Sequence, residues 1–260
     1  MKLSQFLVDA FTKKVFGGNP AAVIVLENWL EENLMQTIAA ENNLSETAFV
    51  VKENDAYRIR WFTPAAEINL CGHATLATAH VFYNHLNFSE PEINFQSKSG
   101  LLKVFKNNDL LTLDFPADVL AEIELSNEMK TAFGIIPSKA FMGKNIVLLV
   151  FANQSEIENL HPDFDTIKKI HPHGVNCTAK GNEVDFVSRC FYPNFGINED
   201  PVSGSAHTTL PVYWKTQQNK NKFSALQLSK RKGTLWCELV NDRVLISGYA
   251  VAFSQGEIEF

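Results

Sequence analysis

Glu46 stands in Asn43-Leu44-Ser45-Glu46-Thr47-Ala48-Phe49, a polar island directly before the apolar run Ala48-Phe49-Val50-Val51. Desolvation disfavours the charged form of a carboxylate entering an apolar segment, which moves it toward the range of a general base able to take a proton from carbon. A capping or solvated loop glutamate is the plainer reading of that stretch. Two further segments, Cys71-Gly72-His73-Ala74-Thr75 and Asp200-Pro201-Val202-Ser203-Gly204-Ser205-Ala206, place glycine where a helix is expected to begin. Free N–H groups and the positive end of a helix dipole suit a carboxylate or phosphate there, and glycine permits close approach. Tight helix-on-strand packing accounts equally well for either motif taken alone. The imidazole of His73 titrates near neutral pH and could donate a proton or orient a carboxylate, unless it is satisfied within the packing. Asp200 precedes Pro201, which fixes the backbone and would hold the carboxylate near the second helix start, although a turn-forming Asp reads the same way.

These segments recur within the chain. Arg60-Trp61-Phe62-Thr63-Pro64 aligns with Arg189-Cys190-Phe191-Tyr192-Pro193, and the match continues through Ile68-Asn69 over Ile197-Asn198. Gly72-His73-Ala74-Thr75 then falls over Gly204-Ser205-Ala206-His207, and Cys71 faces Asp200 across the repeat. That both glycine-led helix starts occupy equivalent positions favours a functional reading of each. A weaker echo pairs Phe16-Gly17-Gly18-Asn19 with Phe141-Met142-Gly143-Lys144, each followed by an apolar run that reads as a buried strand. The expected fold is α+β in duplicate, with domains over 1–117 and 118–260 and a C-terminal strand able to cross back to the first.

Strands are expected at 57–62, 111–115, 184–191 and 244–253, stretches rich in β-branched and aromatic residues and bounded by turn formers. Helices are expected at 29–41, where Leu30, Leu34 and Ile38 recur every four residues, at 72–83, and from about Gly204. The 72–83 segment is mostly Ala, Thr and Leu with almost no charge, the pattern of a buried helix, so it is placed inside the sheet of its own half.

Composition narrows the function classes. The 260 residues are 45% hydrophobic and 20% charged, with a formal net charge of −6. Lys and Arg are scattered, so no footprint for nucleic acid or an anionic membrane is visible. No signal-peptide core or membrane span is expected, and a cytoplasmic location follows as the expectation. The four cysteines, Cys71, Cys177, Cys190 and Cys237, form no close pair, which argues against a thioredoxin-type motif or zinc ribbon. His161, His171 and His173 lie among prolines without an H-E-x-x-H arrangement and read as loop residues, so no metal centre is expected. Phosphate-loop, dinucleotide and nucleophile-elbow signatures are absent.

The segments VDAFT (8–12), FGGNPAAV (16–23), LSETAFV (44–50), RWFTPAAEINLCGHATLATAH (60–80) and GINEDPVSGSAH (196–207) resemble the phenazine-biosynthesis isomerase-like (PhzF-like) family. The resemblance spans most of the chain. It implies the diaminopimelate epimerase-like fold, two pseudosymmetric domains that each wrap a β-barrel-like sheet around a central helix, with the active site between them. It also implies a cofactor-independent isomerase of a small carboxylic acid, acting as a homodimer. In that reading Glu46 takes a proton from one carbon and returns it to another, His73 and Asp200 assist, and Ser205 with the backbone of Gly72 and Gly204 binds the substrate. Epimerases of the larger fold use two opposed cysteines, and here Cys71 faces an aspartate, which argues against a symmetric two-thiol racemase. An epimerase using Cys71 with Asp200, or a non-catalytic module binding small carboxylates, are the rival readings.

Overall fold

A computed structural model of the chain describes residues 1–53 and 56–260. The chain divides into two compact units, 1–114 with 247–260, and 115–246.

In the first unit, β1 (Lys2–Ala10) pairs antiparallel with β2 (Asn19–Leu26), with Gln5 opposite Ile24, and on its other edge with the C-terminal strand Ala250–Glu259, with Lys2 opposite Glu259. Helix α1 (Glu32–Asn42) then carries the chain to β3 (Glu46–Glu53), which runs parallel to β2 with Ala21 beside Glu46. β4 (Ala56–Phe62) returns antiparallel, and β5 (Glu67–Ile68) turns back on its end. Helix α2 (Gly72–His85) leads to β6 (Glu92–Ser97), parallel to β4, followed by the antiparallel β7 (Gly100–Asn107) and β8 (Leu110–Pro116).

Helix α2 packs against β1, β2, β3 and the C-terminal strand, so the sheet wraps it as its composition predicts. Its buried residues run from Gly72 through Ala79 and on through Val81, Phe82 and Tyr83. Thr75 and Thr78 tolerate this burial because each hydroxyl donates to the carbonyl four residues earlier, Cys71 and Ala74. A second apolar layer, Ile24, Met35, Ile38, Phe49 and Phe62, joins α1 to the opposite face.

The second unit repeats the pairing scheme. β9 (Ala121–Ile123) lies on β10 (Lys139–Met142), which pairs antiparallel with β11 (Val147–Val150). Helices α3 (Asn127–Thr131), α4 (Gln154–Glu158) and α5 (Phe164–Ile170) are short. β12 (Val175–Lys180) runs parallel to β11, β13 (Phe186–Tyr192) antiparallel to β12, and β14 (Ile197–Asp200) folds back on β13. Helix α6 (Ala206–Gln218) leads to β15 (Lys222–Gln227), parallel to β13, then to β16 (Gly233–Val240) and β17 (Arg243–Gly248). The succession antiparallel, parallel, antiparallel, parallel, antiparallel is common to both halves. The repeated Arg makes the same contact twice. Arg60 grips Glu67 through Nε and Nη2 at 2.8 Å each, and Arg189 grips Glu199 at 2.7 and 2.9 Å. Each guanidinium also lies over the next inward aromatic ring of its strand, Phe62 or Phe191. Such two-pronged pairs fix one strand end against the next.

Two expected elements differ. The first helix begins at Glu32 rather than residue 29. Trp29 instead sends its indole N–H to Glu53 Oε1 at 2.6 Å, which holds it outside the helix. The stretch 244–253 is two strands, β17 and the C-terminal strand, separated at Tyr249. A Cβ on Gly248 would lie 2.4 Å from Phe11 Cδ1, so the chain passes that buried ring only as glycine.

Gly18 is equally constrained. Its φ is +62°, and an added Cβ would sit 2.0 Å from the Ala10 carbonyl oxygen. Gly18→Ala is expected to destabilise the protein by about 1–3 kcal/mol, read as a lower urea midpoint with an unchanged slope. An unchanged midpoint would refute this account of the turn.

Candidate active site

Glu46 begins β3, Asn19 begins the neighbouring β2, and Cys71 and His73 open α2. Parallel pairing brings the starts of β2 and β3 side by side, and the enclosed helix begins beside them. The result is a buried polar cluster: Glu46 is 6% exposed, Cys71 5%, His73 4% and Asn19 fully covered. His73 lies at its centre. Its Nε2 is 3.0 Å from Glu46 Oε2, and its Nδ1 is 3.1 Å from Asn19 Nδ2 and 3.5 Å from Cys71 Sγ. The Nε2 and Oε2 atoms face each other without the alignment of a straight hydrogen bond.

The proton positions follow from the partners. Burial first, and the Glu46 charge next, push the Cys71 thiol up to about 11, so sulfur keeps its proton near neutral pH. In the neutral ring the amide N–H of Asn19 and the Cys71 S–H both point at Nδ1, which acts as acceptor. The remaining imidazole proton belongs on Nε2, facing Glu46. Burial works against a charged His73, but its contacts with Cys71 and Glu46 outweigh it and place His73 well above its ordinary value, and the charged ring carries a proton on Nδ1 as well. With sulfur protonated, Glu46 is the group that stabilises the imidazolium.

Glu46, Cys71 and His73 also offer one donor atom each within 4.8 Å of one another, a set able to share a metal ion among the described residues. A thiolate would first have to form, and burial opposes that.

The second unit holds the equivalent helix start. Asp200 ends β14 and is buried, and its backbone carbonyl accepts from Gln227 Nε2 at 2.7 Å. Gln227 Oε1 in turn accepts the Ser203 N–H. Ser203 Oγ stands 3.1 Å from Ser205 Oγ and 2.9 Å from the Tyr192 hydroxyl, which donates to Asn176 Oδ1. Burial first, and the charges of Cys190 and Asp200 next, push the Tyr192 hydroxyl well above its ordinary range, so it stays a neutral donor. Gly204 and Ser205 lie immediately before α6, whereas Gly72 is the first residue of α2.

Sequence reasoning singled out Glu46, Cys71 and His73, and the structure brings them together in the first unit. It places Asp200, Gly204 and Ser205 along one segment of the second. It missed Asn19 as a partner of His73, although the residue lies in the FGGNP segment, and it missed Tyr192, Asn176, Ser203 and Gln227. The alignment of Tyr192 with Thr63 gave no sign of the hydroxyl network. His161, His171 and His173 lie in loops as expected.

Two pseudorepeated α+β units, each with a sheet around a helix, define the diaminopimelate epimerase-like class. A hydroxyproline epimerase of Agrobacterium vitis shares this fold at 11% identity and a TM-score of 0.65, covering 99% of this chain and 92% of its own. The chain belongs to the phenazine biosynthesis-like protein (PhzC-PhzF) family, whose family model matches residues 8–256. It is 45% identical over 258 residues to an uncharacterized isomerase of Pseudomonas aeruginosa, covering 99% of both chains. The crystal structure of a PhzF-family protein of Enterococcus faecalis superimposes with a TM-score of 0.97 at 47% identity, covering all of both chains. No helix among the described residues is long and apolar enough to cross a membrane.

Proposed function

We propose that the protein is an isomerase that moves a proton between carbons of a small carboxylic acid without an added cofactor, with Glu46 as the base. The observation that carries this reading is the buried Glu46 carboxylate with His73 Nε2 at 3.0 Å. Glu46 takes a proton from a substrate carbon, the electron pair left behind delocalises toward the unsaturated or carboxyl end, and the protonated Glu46, whose proton exchanges with solvent, delivers a proton to a second carbon. His73 holds the carboxylate oxygen in place and supplies compensating positive charge as the proton moves. Asp200 assists the transfer, while Gly72, Gly204 and Ser205 bind the substrate. The isomerase names of close relatives support the reaction class.

The test is NMR-detected solvent deuterium incorporation into a panel of small cyclic and amino carboxylic acids. Deuterium at one carbon, lost in Glu46→Gln, is the expected result. Exchange that survives Glu46→Gln but disappears in Cys71→Ala would replace this reading with thiol-based epimerisation.

Asn19 enters the same reading through His73. Asn19→Asp turns the donor facing Nδ1 into an acceptor, which draws the imidazole proton away from Glu46. The exchange rate is expected to fall at least about tenfold, and the imidazole ¹⁵N spectrum of neutral His73, recorded at a pH above its titration and identified by its loss in His73→Gln, should move from an Nε2-protonated to an Nδ1-protonated pattern. An unmoved spectrum would reject the role.

A further inference from the structure

Lys13, His80, Asn84, Lys106 and Tyr249 line a cavity of about 300 Å³ in the first unit, and no residue of the Glu46 cluster takes part in it. Lys13 lies in the connection from β1 to β2, His80 and Asn84 stand one turn apart on α2, Lys106 is on β7 and Tyr249 precedes the C-terminal strand. Among the described residues neither Lys13 nor Lys106 has a carboxylate within 4.0 Å of its ammonium group. Lys103, on the same strand as Lys106, does pair, with Glu92 at 3.3 Å. The two cavity lysines rest on aromatic rings instead: Lys13 Nζ is 3.9 Å from the ring centre of Tyr249, and Lys106 Nζ is 4.6 Å from that of Tyr83. A ring face steadies a cation without neutralising it.

The remaining lining keeps the positive balance. Asn84 Nδ2 sits 3.2 Å from His80 Nδ1, so the ring nitrogen left for a ligand is Nε2, carrying its hydrogen. Burial, aided by the charges of His85 and Lys106, lowers His80 to about 4, and the ring is neutral near pH 7. Asp109 is the single carboxylate of the lining and leaves it net positive beside two ammonium groups. The volume is at the lower end for ligand cavities, which run from about 300 to 1,000 Å³.

We infer that this cavity binds a small oxyanion, a carboxylate or phosphate group held between the ammonium groups of Lys13 and Lys106. The test is an NMR titration of the full chain with inorganic phosphate and, separately, with succinate, each at constant ionic strength. Saturable shifts at Lys13, Asn84 and Tyr249 are expected with at least one of the two, and the one that saturates names the head group. Lys13→Gln and Lys106→Gln should each weaken binding about tenfold. An unchanged melting temperature in both variants separates lost binding from lost folding. Glu46→Gln should keep the shifts, and their loss in that variant would reassign the anion to the Glu46 cluster and overturn the inference. Shifts that never saturate, or equal affinity in wild type and both lysine variants, would overturn it too.

Discussion

Glu46→Gln is expected to lower the rate of solvent deuterium incorporation by about 10²–10⁴-fold, the share that general acid–base catalysis ordinarily supplies. Glutamine has the shape of glutamate, and its Oε1 can still face the Nε2–H of His73, so the buried site keeps a polar partner and the fold persists. What disappears is the carboxylate basicity that the proposed reaction needs to take a proton from carbon. The same substitution removes the negative charge that stabilises the His73 imidazolium. His73 should therefore titrate lower in the variant than in the wild type, since its burial then goes less opposed. The two readouts are independent, because the titration needs no substrate. A rate near that of wild type sinks the assignment of Glu46 as base, and an unmoved His73 titration shows that the 3.0 Å contact is not an electrostatic pair.

Phe186→Ala destabilises the protein by about 3–5 kcal/mol, the usual loss for truncating a buried phenylalanine. Phe186 is fully buried on β13 and meets three rings: Trp214 at 5.9 Å and parallel to within 1°, His207 at 5.9 Å, and Phe223 at 6.0 Å. Trp214 and His207 both belong to α6, so the cavity opens beneath the helix whose start follows Gly204 and Ser205. Trp214 is further tied to Thr178 by its indole N–H at 3.0 Å, which limits how far the helix can settle into the gap. Urea unfolding followed by tryptophan fluorescence measures the effect. Phe186→Leu should recover part of the loss by refilling volume, and a loss below about 1 kcal/mol for the alanine variant would mean that the site collapses around the missing ring.

Much of the architecture is written locally. The duplication is legible because Arg60 and Arg189, with Phe62 and Phe191, recur in register, and each Arg grips a carboxylate on the strand that follows. Helix α2 is legible because a run of Ala, Thr and Leu without charge is stable only when enclosed. Glu46, Cys71 and His73 stand out as residue types capable of proton chemistry at element starts. Their assembly is another matter. Whether Glu46 is a solvated loop residue or a buried partner of His73 depends on the parallel pairing that sets Ala21 beside Glu46 and on the helix start enclosed next to it. Sequence spacing carries no information about which strand will be the neighbour. The same holds for Asn19, whose amide reaches a ring far along the chain. The stretch 244–253 illustrates the limit, since alternation marks it as strand but cannot show that Gly248 must slip past Phe11 and send the remainder to pair with β1. Side-chain pattern fixes the face that each element buries, whereas partner, register and proton position are properties of long-range pairing, and only the tertiary structure decides them.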